Sequence, residues 1–263
     1  DGPIVDWVLV MRRFDQSALL DSIAQRGELG PELIDNLAAV VAEMHRLAPI
    51  MKRSEGAYFT DMARDNVTML AQSNIPRETL KDLEGALTAS CNLLRDHLDK
   101  RARDGFVRHC HGDLHLRNIV VINGQPLPFD ALEFDQDLAT GDIYYDLAFL
   151  LMDLEHRGLR LLASRLLSRY AAITDDLEGL TALSLFLATR AAVRAKVAML
   201  SAPDTQDSHS ELQSYVDLAR LYLEPASPRL VAIGGLSGTG KSSVAYRLSS
   251  EIPPRPGGVI LRS

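Results

Sequence analysis

The sequence predicts an α+β chain: a mostly helical region with one small β-hairpin set into it, followed by the first strand, loop and helix of a second, α/β unit. Three observations carry that reading. Apolar residues recur at helical spacing over most of the first 224 positions. That periodicity breaks once, around an Asn-Gly pair flanked by β-branched residues. After Pro225-Ala-Ser-Pro228 the character changes to an apolar run, a Gly-rich turn and a short helical stretch.

Taken in order, Trp7 to Met11 is a short apolar run that suits a buried strand. Residues 31–48 form an amphipathic helix, with Leu33, Leu37, Val40, Val41, Met44 and Leu47 on one side, Pro31 at the start and Pro49 at the end. Helices follow near 58–73 and 77–102. Phe106 to His111 reads as a short strand or loop, Asn118 to Ile122 as a strand, Asn123-Gly124 as the turn and Pro128 to Phe134 as the returning strand. Helices resume near 143–156, 159–172, 179–201 and 208–223. Beyond the linker at 225–229, Leu230 to Gly234 reads as a strand, Ser242 to Ser250 as a helix and Val259 to Leu261 as the opening of another strand.

Composition narrows the function. The chain has 263 residues, 46% of them apolar, and a formal net charge of −7. An acidic chain is a poor match for nucleic acid, whose phosphates call for Lys and Arg. The longest clearly apolar run, Leu147 to Met152, is far too short to span a membrane. With only Cys91 and Cys110, the chain has no disulfide framework, and a cytoplasmic setting is expected.

The first chemical motif is His111-Gly112-Asp113-Leu114-His115-Leu116-Arg117-Asn118. An Asp with an Asn five positions later, between helices and a hairpin, has the spacing of a kinase catalytic loop. Phosphoryl transfer needs a carboxylate to orient the acceptor hydroxyl and take its proton, and Asp113 fits that role. It needs a neutral oxygen beside the triphosphate to hold Mg²⁺, for which Asn118 fits, and a further metal carboxylate across the hairpin, for which Asp130 and Glu133 are the candidates. Residues 130–146 carry six acids and no Lys or Arg. Of these, Asp137 reads as a solvated charge and Asp142 as a helix cap or a brace. A competing reading takes His109, His111, Asp113 and His115 as a zinc hydrolase site, since alternate residues on a strand share a face. It leaves Asn118 and the acids without a role. A non-catalytic nucleotide sensor on the same scaffold is the other alternative.

The second motif, Gly235-Leu-Ser237-Gly238-Thr239-Gly240-Lys241-Ser242, satisfies the P-loop pattern between a strand and a helix. Its main-chain N–H groups, together with Ser237, Thr239 and Ser243, suit a nucleotide phosphate cradle. Lys241 suits the outer phosphates and Ser242 suits Mg²⁺.

The His-Gly-Asp-x-His-x-x-Asn loop and the later Gly141-Asp142-Ile-Tyr-Tyr-Asp146-Leu147-Ala148 resemble the aminoglycoside phosphotransferase and choline-kinase-like superfamily over about residues 5–224. The resemblance implies a protein-kinase-like C-terminal lobe, ATP and Mg²⁺ as cofactors, a small-molecule hydroxyl as acceptor, Asp113 as base, and Asn118 with an acid on the next strand as metal ligands. That strand departs from the family pattern by offering both Asp130 and Glu133, and leaves the choice open. Residues 1–224 are therefore expected to form a kinase domain without its N-terminal lobe, Trp7 to Phe14 resembling the hinge between lobes. Residues 230–263 are expected to begin a P-loop domain, which they do not complete. The order of the two resembles bacterial proteins described as bifunctional aminoglycoside phosphotransferase-like and ATP-binding. On this reading the 263 residues alone do not catalyse transfer, and residues 229–263 are the least anchored by apolar contacts.

Overall fold

The computed structural model describes residues 13–201, 205–227 and 229–261. The strand expected at Trp7 to Met11 lies outside them. Helices α1 (Leu20–Gln25), α2 (Pro31–Leu47), α3 (Glu55–Leu70) and α4 (Arg77–Arg103) come first. Pro31 occupies the first turn of α2, where its missing N–H costs nothing. At the other end of α2 the Arg108 guanidinium donates to the carbonyls of His45, Arg46 and Ala48, groups that the helix itself leaves unpaired.

Four short strands follow: β1 (Val107–His109), β2 (Ile119–Ile122), β3 (Gln125–Pro128) and, after the one-turn helix α5 (Gln136–Ala139), β4 (Thr140–Asp142). They form two antiparallel pairs, β1 with β4 and β2 with β3. The returning strand is therefore Gln125–Pro128, not Pro128 to Phe134. Asn123 and Gly124 both take positive φ, 51° and 77°, so the turn closes in two residues and pairing restarts at once. Pro126 and Pro128 are tolerated because the ribbon has free edges. Residues 129–135 leave it as an irregular loop.

The axial element is α6 (Ile143–His156). Every residue from Ile143 to Glu155 is buried, which is the behaviour of a helix surrounded by others. Helix α7 (Arg160–Thr174) packs on α2 and α6; α8 (Leu183–Ser201) packs on α3, α6 and α9 (Gln206–Tyr222); and α3 lies along α4. Phe59, Tyr145 and Phe186 meet in the centre of this core. Arg101 of α4 is wholly buried and holds Asp142 and Asp176 at 2.6–3.0 Å. Asp142 also caps α6 through the Tyr144 N–H, so the cap and the brace are one residue.

Past residue 229 the chain changes. Helix α10 (Lys241–Ser249) forms as expected, but neither Leu230 to Gly234 nor Val259 to Leu261 joins a ladder among the described residues. Leu230 is 95% exposed, and no Leu, Ile or Val of this segment is buried. Half-buried Val259 packs on the core, and polar contacts fasten the segment to α7 and α6: Ser164 to Ser249, Ser168 to Ile260 and Glu155 to Arg255. Among the described residues no helix is long and apolar enough to cross a membrane.

Candidate active site

The loop from Cys110 to Asn118 joins β1 to β2 and is shaped by groups outside it. Gly112 has φ +80°, and a Cβ there would stand 2.8 Å from Leu132 Cδ1 and 3.2 Å from the Ala139 Cα. Only glycine meets both conditions. Asp146 of α6 accepts the N–H groups of His111 (3.3 Å) and Gly112 (2.9 Å). One turn of chain later, Asp153 accepts the N–H of Leu116 at 3.0 Å. Arg190 of α8 donates to the carbonyls of Gly112 and Tyr145, both at 3.1 Å, and lies 3.8 Å from Asp146. His45 completes the setting. Its Nε2 faces Asp146 at 3.1 Å, so Nδ1 is left to accept from the Tyr170 hydroxyl at 2.7 Å. Burial pushes the Asp146 carboxyl up, but His45 and Arg190 outweigh it and hold it below the usual carboxylate range.

Within that frame Asp113 and Asn118 meet. Asn118 Nδ2 donates to Asp113 Oδ2 at 2.9 Å and to the Asp113 carbonyl at 3.0 Å. His115 Nε2 stands 3.4 Å from the same Oδ2, its ring edge-on to Phe149. The Asp113 side chain is 37% exposed. Burial raises its pKa, and His115, Asn118 and Arg190 more than reverse this, so the carboxyl sits below its ordinary value. It is an ionised, partly exposed acceptor held in one orientation, suited to hydrogen-bonding a hydroxyl. Because Asn118 spends its amide hydrogens on Asp113, its Oδ1 is left as an oxygen ligand.

The acids expected on the returning strand are in the loop beyond it. Phe129 N–H donates to the Asn118 carbonyl at 3.0 Å, and the Phe129 carbonyl accepts His111 Nε2 at 2.9 Å. Asp130 comes next, exposed and at φ 60°. Asp130, expected on the returning strand, is therefore neither in a strand nor buried. Glu133 is exposed as well, one residue after Leu132, whose N–H returns to the His111 carbonyl. Asp135 caps α5, and Asp137 is exposed.

His109, His111, Asp113 and His115 do not assemble a metal site. The group of three ligand atoms that converges among the described residues is His45, Cys110 and Asp146, all buried. There His45 and Asp146 already bond to each other and to Tyr170, Gly112 and His111.

In the second segment, Gly238 and Gly240 take φ 78° and 81°, and α10 starts directly after them. Lys241 Nζ folds back onto the carbonyls of Gly235 and Leu236, both at 2.7 Å. Thr239 also bonds to the Leu236 carbonyl, while Ser242 and Ser243 are exposed on the first turn of the helix.

Sequence reasoning did not find His45 and Arg190. The available signal was Arg190, the one charged residue in the run Leu183 to Val193.

Comparison with known proteins agrees with this architecture. Uncharacterised proteins of Mycobacterium tuberculosis and Mycobacterium bovis are 28% identical over 246 residues, covering 90% of this chain and 49% of theirs. The chain thus spans about half the length of the curated relatives it matches. The structure of an ethanolamine kinase from Plasmodium vivax superposes with a TM-score of 0.50 at 13% identity, over 79% of this chain and 63% of that one. That likeness is one of fold. The profile of the phosphotransferase enzyme family matches residues 7–186, the span that holds the loop, the hairpin and α6, and the chain belongs to that family.

Proposed function

We propose that the chain is the catalytic lobe of an ATP- and Mg²⁺-dependent kinase that phosphorylates a hydroxyl group of a small molecule. The observation that carries this reading is the Asn118–Asp113 pair, set at the mouth of a loop whose main chain is held by Asp146 and Asp153. Asp113 orients the acceptor hydroxyl. As the acceptor oxygen bonds to the γ-phosphorus and ADP leaves, the hydroxyl proton passes to Asp113. A carboxylate held below its usual pKa is a weak base, and its main contribution is orientation.

Asn118 Oδ1 and the Asp130 carboxylate are the metal ligands on this reading, Asp130 being preferred to Glu133. Asp130 directly follows the residue pinned to both His111 and Asn118, and its left-handed backbone costs about 1 kcal/mol, a strain of the kind found at functional positions. A magnesium ion bound there would neutralise phosphate charge. Gly235 to Ser243 is a second phosphate-binding site in the same proposal. The left-handed glycines and the start of α10 support it, and Lys241 would exchange its two carbonyls for phosphate oxygens.

The test is ADP formation by the full-length protein with ATP, Mg²⁺ and a panel of hydroxyl metabolites. Asp113→Ala is expected to lower turnover about 10²–10⁴-fold with ATP affinity little changed. Undiminished turnover would remove Asp113 from its role. ATP binding without transfer to any acceptor would favour a nucleotide sensor.

A further inference from the structure

Beside the Asp113 loop, α6, α8 and α9 leave a cleft of about 310 Å³. His115 borders it, and the Nε2 of that ring is 3.4 Å from Asp113 Oδ2, so the cleft opens next to the candidate base. One wall is a neutral aromatic stack. His156 lies flat on Tyr215, with centroids 4.0 Å apart and 12° between the planes. Burial holds the His156 pKa below its ordinary value, and its Nε2 is engaged with the Ser214 hydroxyl at 2.8 Å.

The charged groups of the cleft differ in what they have left to offer. Asp153 is committed to the Leu116 N–H and to Arg157. Arg157 is committed to Asp153 and Asp21, and the largely exposed Arg117 also lies 3.6 Å from Asp21. Glu211 is exposed at the rim, where water solvates a carboxylate at little cost. Arg194 differs from all of these. It is half-buried, its Cζ stands 5.5 Å from the Tyr215 centroid, and it pairs with no carboxylate among the described residues. A guanidinium withdrawn from water beside a neutral ring, sharing a hydrogen bond with the Tyr215 hydroxyl but balanced by no carboxylate, keeps N–H donors to receive a carboxylate or a phosphate. A cationic amino alcohol in the same place would set its ammonium beside that unpaired cation.

We propose that this cleft is the acceptor site and that the acceptor is an anionic hydroxyl compound, a hydroxy-carboxylate or a phosphorylated polyol, whose anion rests on Arg194. The proposal builds on the assignment of Asp113 as proton acceptor. The anion anchors one end of the molecule, and a hydroxyl at the other end reaches past His115 to Asp113.

The experiment uses the full-length protein and two readouts, ligand-induced thermal stabilisation and ADP formation with ATP and Mg²⁺. The probes are glycerate and gluconate, glycerol 3-phosphate and ribose 5-phosphate, then ethanolamine and choline, and neutral glycerol. Saturable stabilisation and turnover are expected with a carboxylate or phosphate probe, and which of the two pairs responds identifies the anion. Arg194→Gln is expected to raise the acceptor KM roughly 10–100-fold with kcat little changed, the loss of one charge-assisted contact, and Arg194→Lys to recover part of it. Anions that bind in an Arg194-dependent way without ADP formation would uphold the cleft and overturn the kinase reading. Turnover of ethanolamine or choline in preference to the anions would uphold the kinase reading and overturn the cleft. Equal responses of wild type and Arg194→Gln to the anions, or no response to any of them, would also overturn the anion site.

Discussion

Asp146 and Asp153 lie about two helical turns apart on α6, and each takes main-chain N–H groups of the Asp113 loop, at 111–112 and at 116 respectively. The loop is thus clamped at two points by a single buried helix.

Replacing Asp146 with Asn keeps the shape of the side chain but removes its charge and half of its accepting capacity. His45 and Arg190 then lose their anionic partner, and one buried N–H is left unpaired. A loss of about 2–4 kcal/mol in urea unfolding is expected. Turnover should fall about 10²-fold through misplacement of Asp113, with ATP affinity kept. A purely stabilising role would lower the unfolding midpoint and leave kcat unchanged.

Asp113 owes its low pKa to donors that outweigh burial, His115 first and Asn118 after it. Its protonation is expected to limit activity only below the ordinary aspartate value. Removing a donor reverses the sign. In His115→Gln the acid limb of the kcat/KM profile should move to higher pH, and in Asn118→Ala by less. A limb that stays in place in both variants would detach the profile from Asp113.

Arg101 is buried among Asp142 and Asp176, with its guanidinium 4.2 Å from the Phe106 ring centre. Arg101→Met leaves two carboxylates without their counter-ion, and a destabilisation of about 3–5 kcal/mol is expected in equilibrium unfolding. Asp176→Asn in the same chain should recover part of it, and a double-mutant cycle measures the coupling at 1 kcal/mol or more.

Glu55 is wholly buried beside Arg53, and burial raises its pKa to about 7 despite that partner. The folded state therefore binds a proton more tightly than the unfolded one. Its contribution to stability is present in full below the unfolded value of 4.5 and is lost as pH rises through about 7, on the order of 2–3 kcal/mol. Glu55→Gln is expected to flatten the pH dependence of the unfolding free energy between pH 5 and 8. A variant that loses stability with pH as steeply as wild type would point to another group.

The sequence shows the long helices clearly because each has a wide apolar face, as in Pro31–Leu47 and Arg77–Arg103. It shows the Asp113–Asn118 pair because both residues lie within five positions, and the structure brings them to 2.9 Å. The returning strand was misplaced because Phe129, Leu132 and Phe134 carry an apolar signal in a stretch that is a loop, Phe134 being 85% exposed. The two-residue turn at Asn123-Gly124 had already determined where pairing resumes. His45 and Arg190 were illegible for a different reason. Each reaches the loop frame from far along the chain, 101 residues for His45 to Asp146 and 78 for Arg190 to Gly112. No local periodicity reports such a contact.

The clamp on the loop grips amide hydrogens, and the cleft beside it is walled partly by the same helix, α6, and partly by side chains of two others. Arg194 comes from α8, while Glu211 and Tyr215 come from α9. Of the groups discussed in the cleft, Asp153 and His115 also serve the loop, Asp153 through the Leu116 N–H and His115 beside Asp113. If the cleft is the acceptor site, tool and workpiece holder are largely separate parts. The jaw could then be recut at positions 194, 211 and 215, none of which bonds to the Asp113 loop, and altered selectivity would not require rebuilding the chemistry.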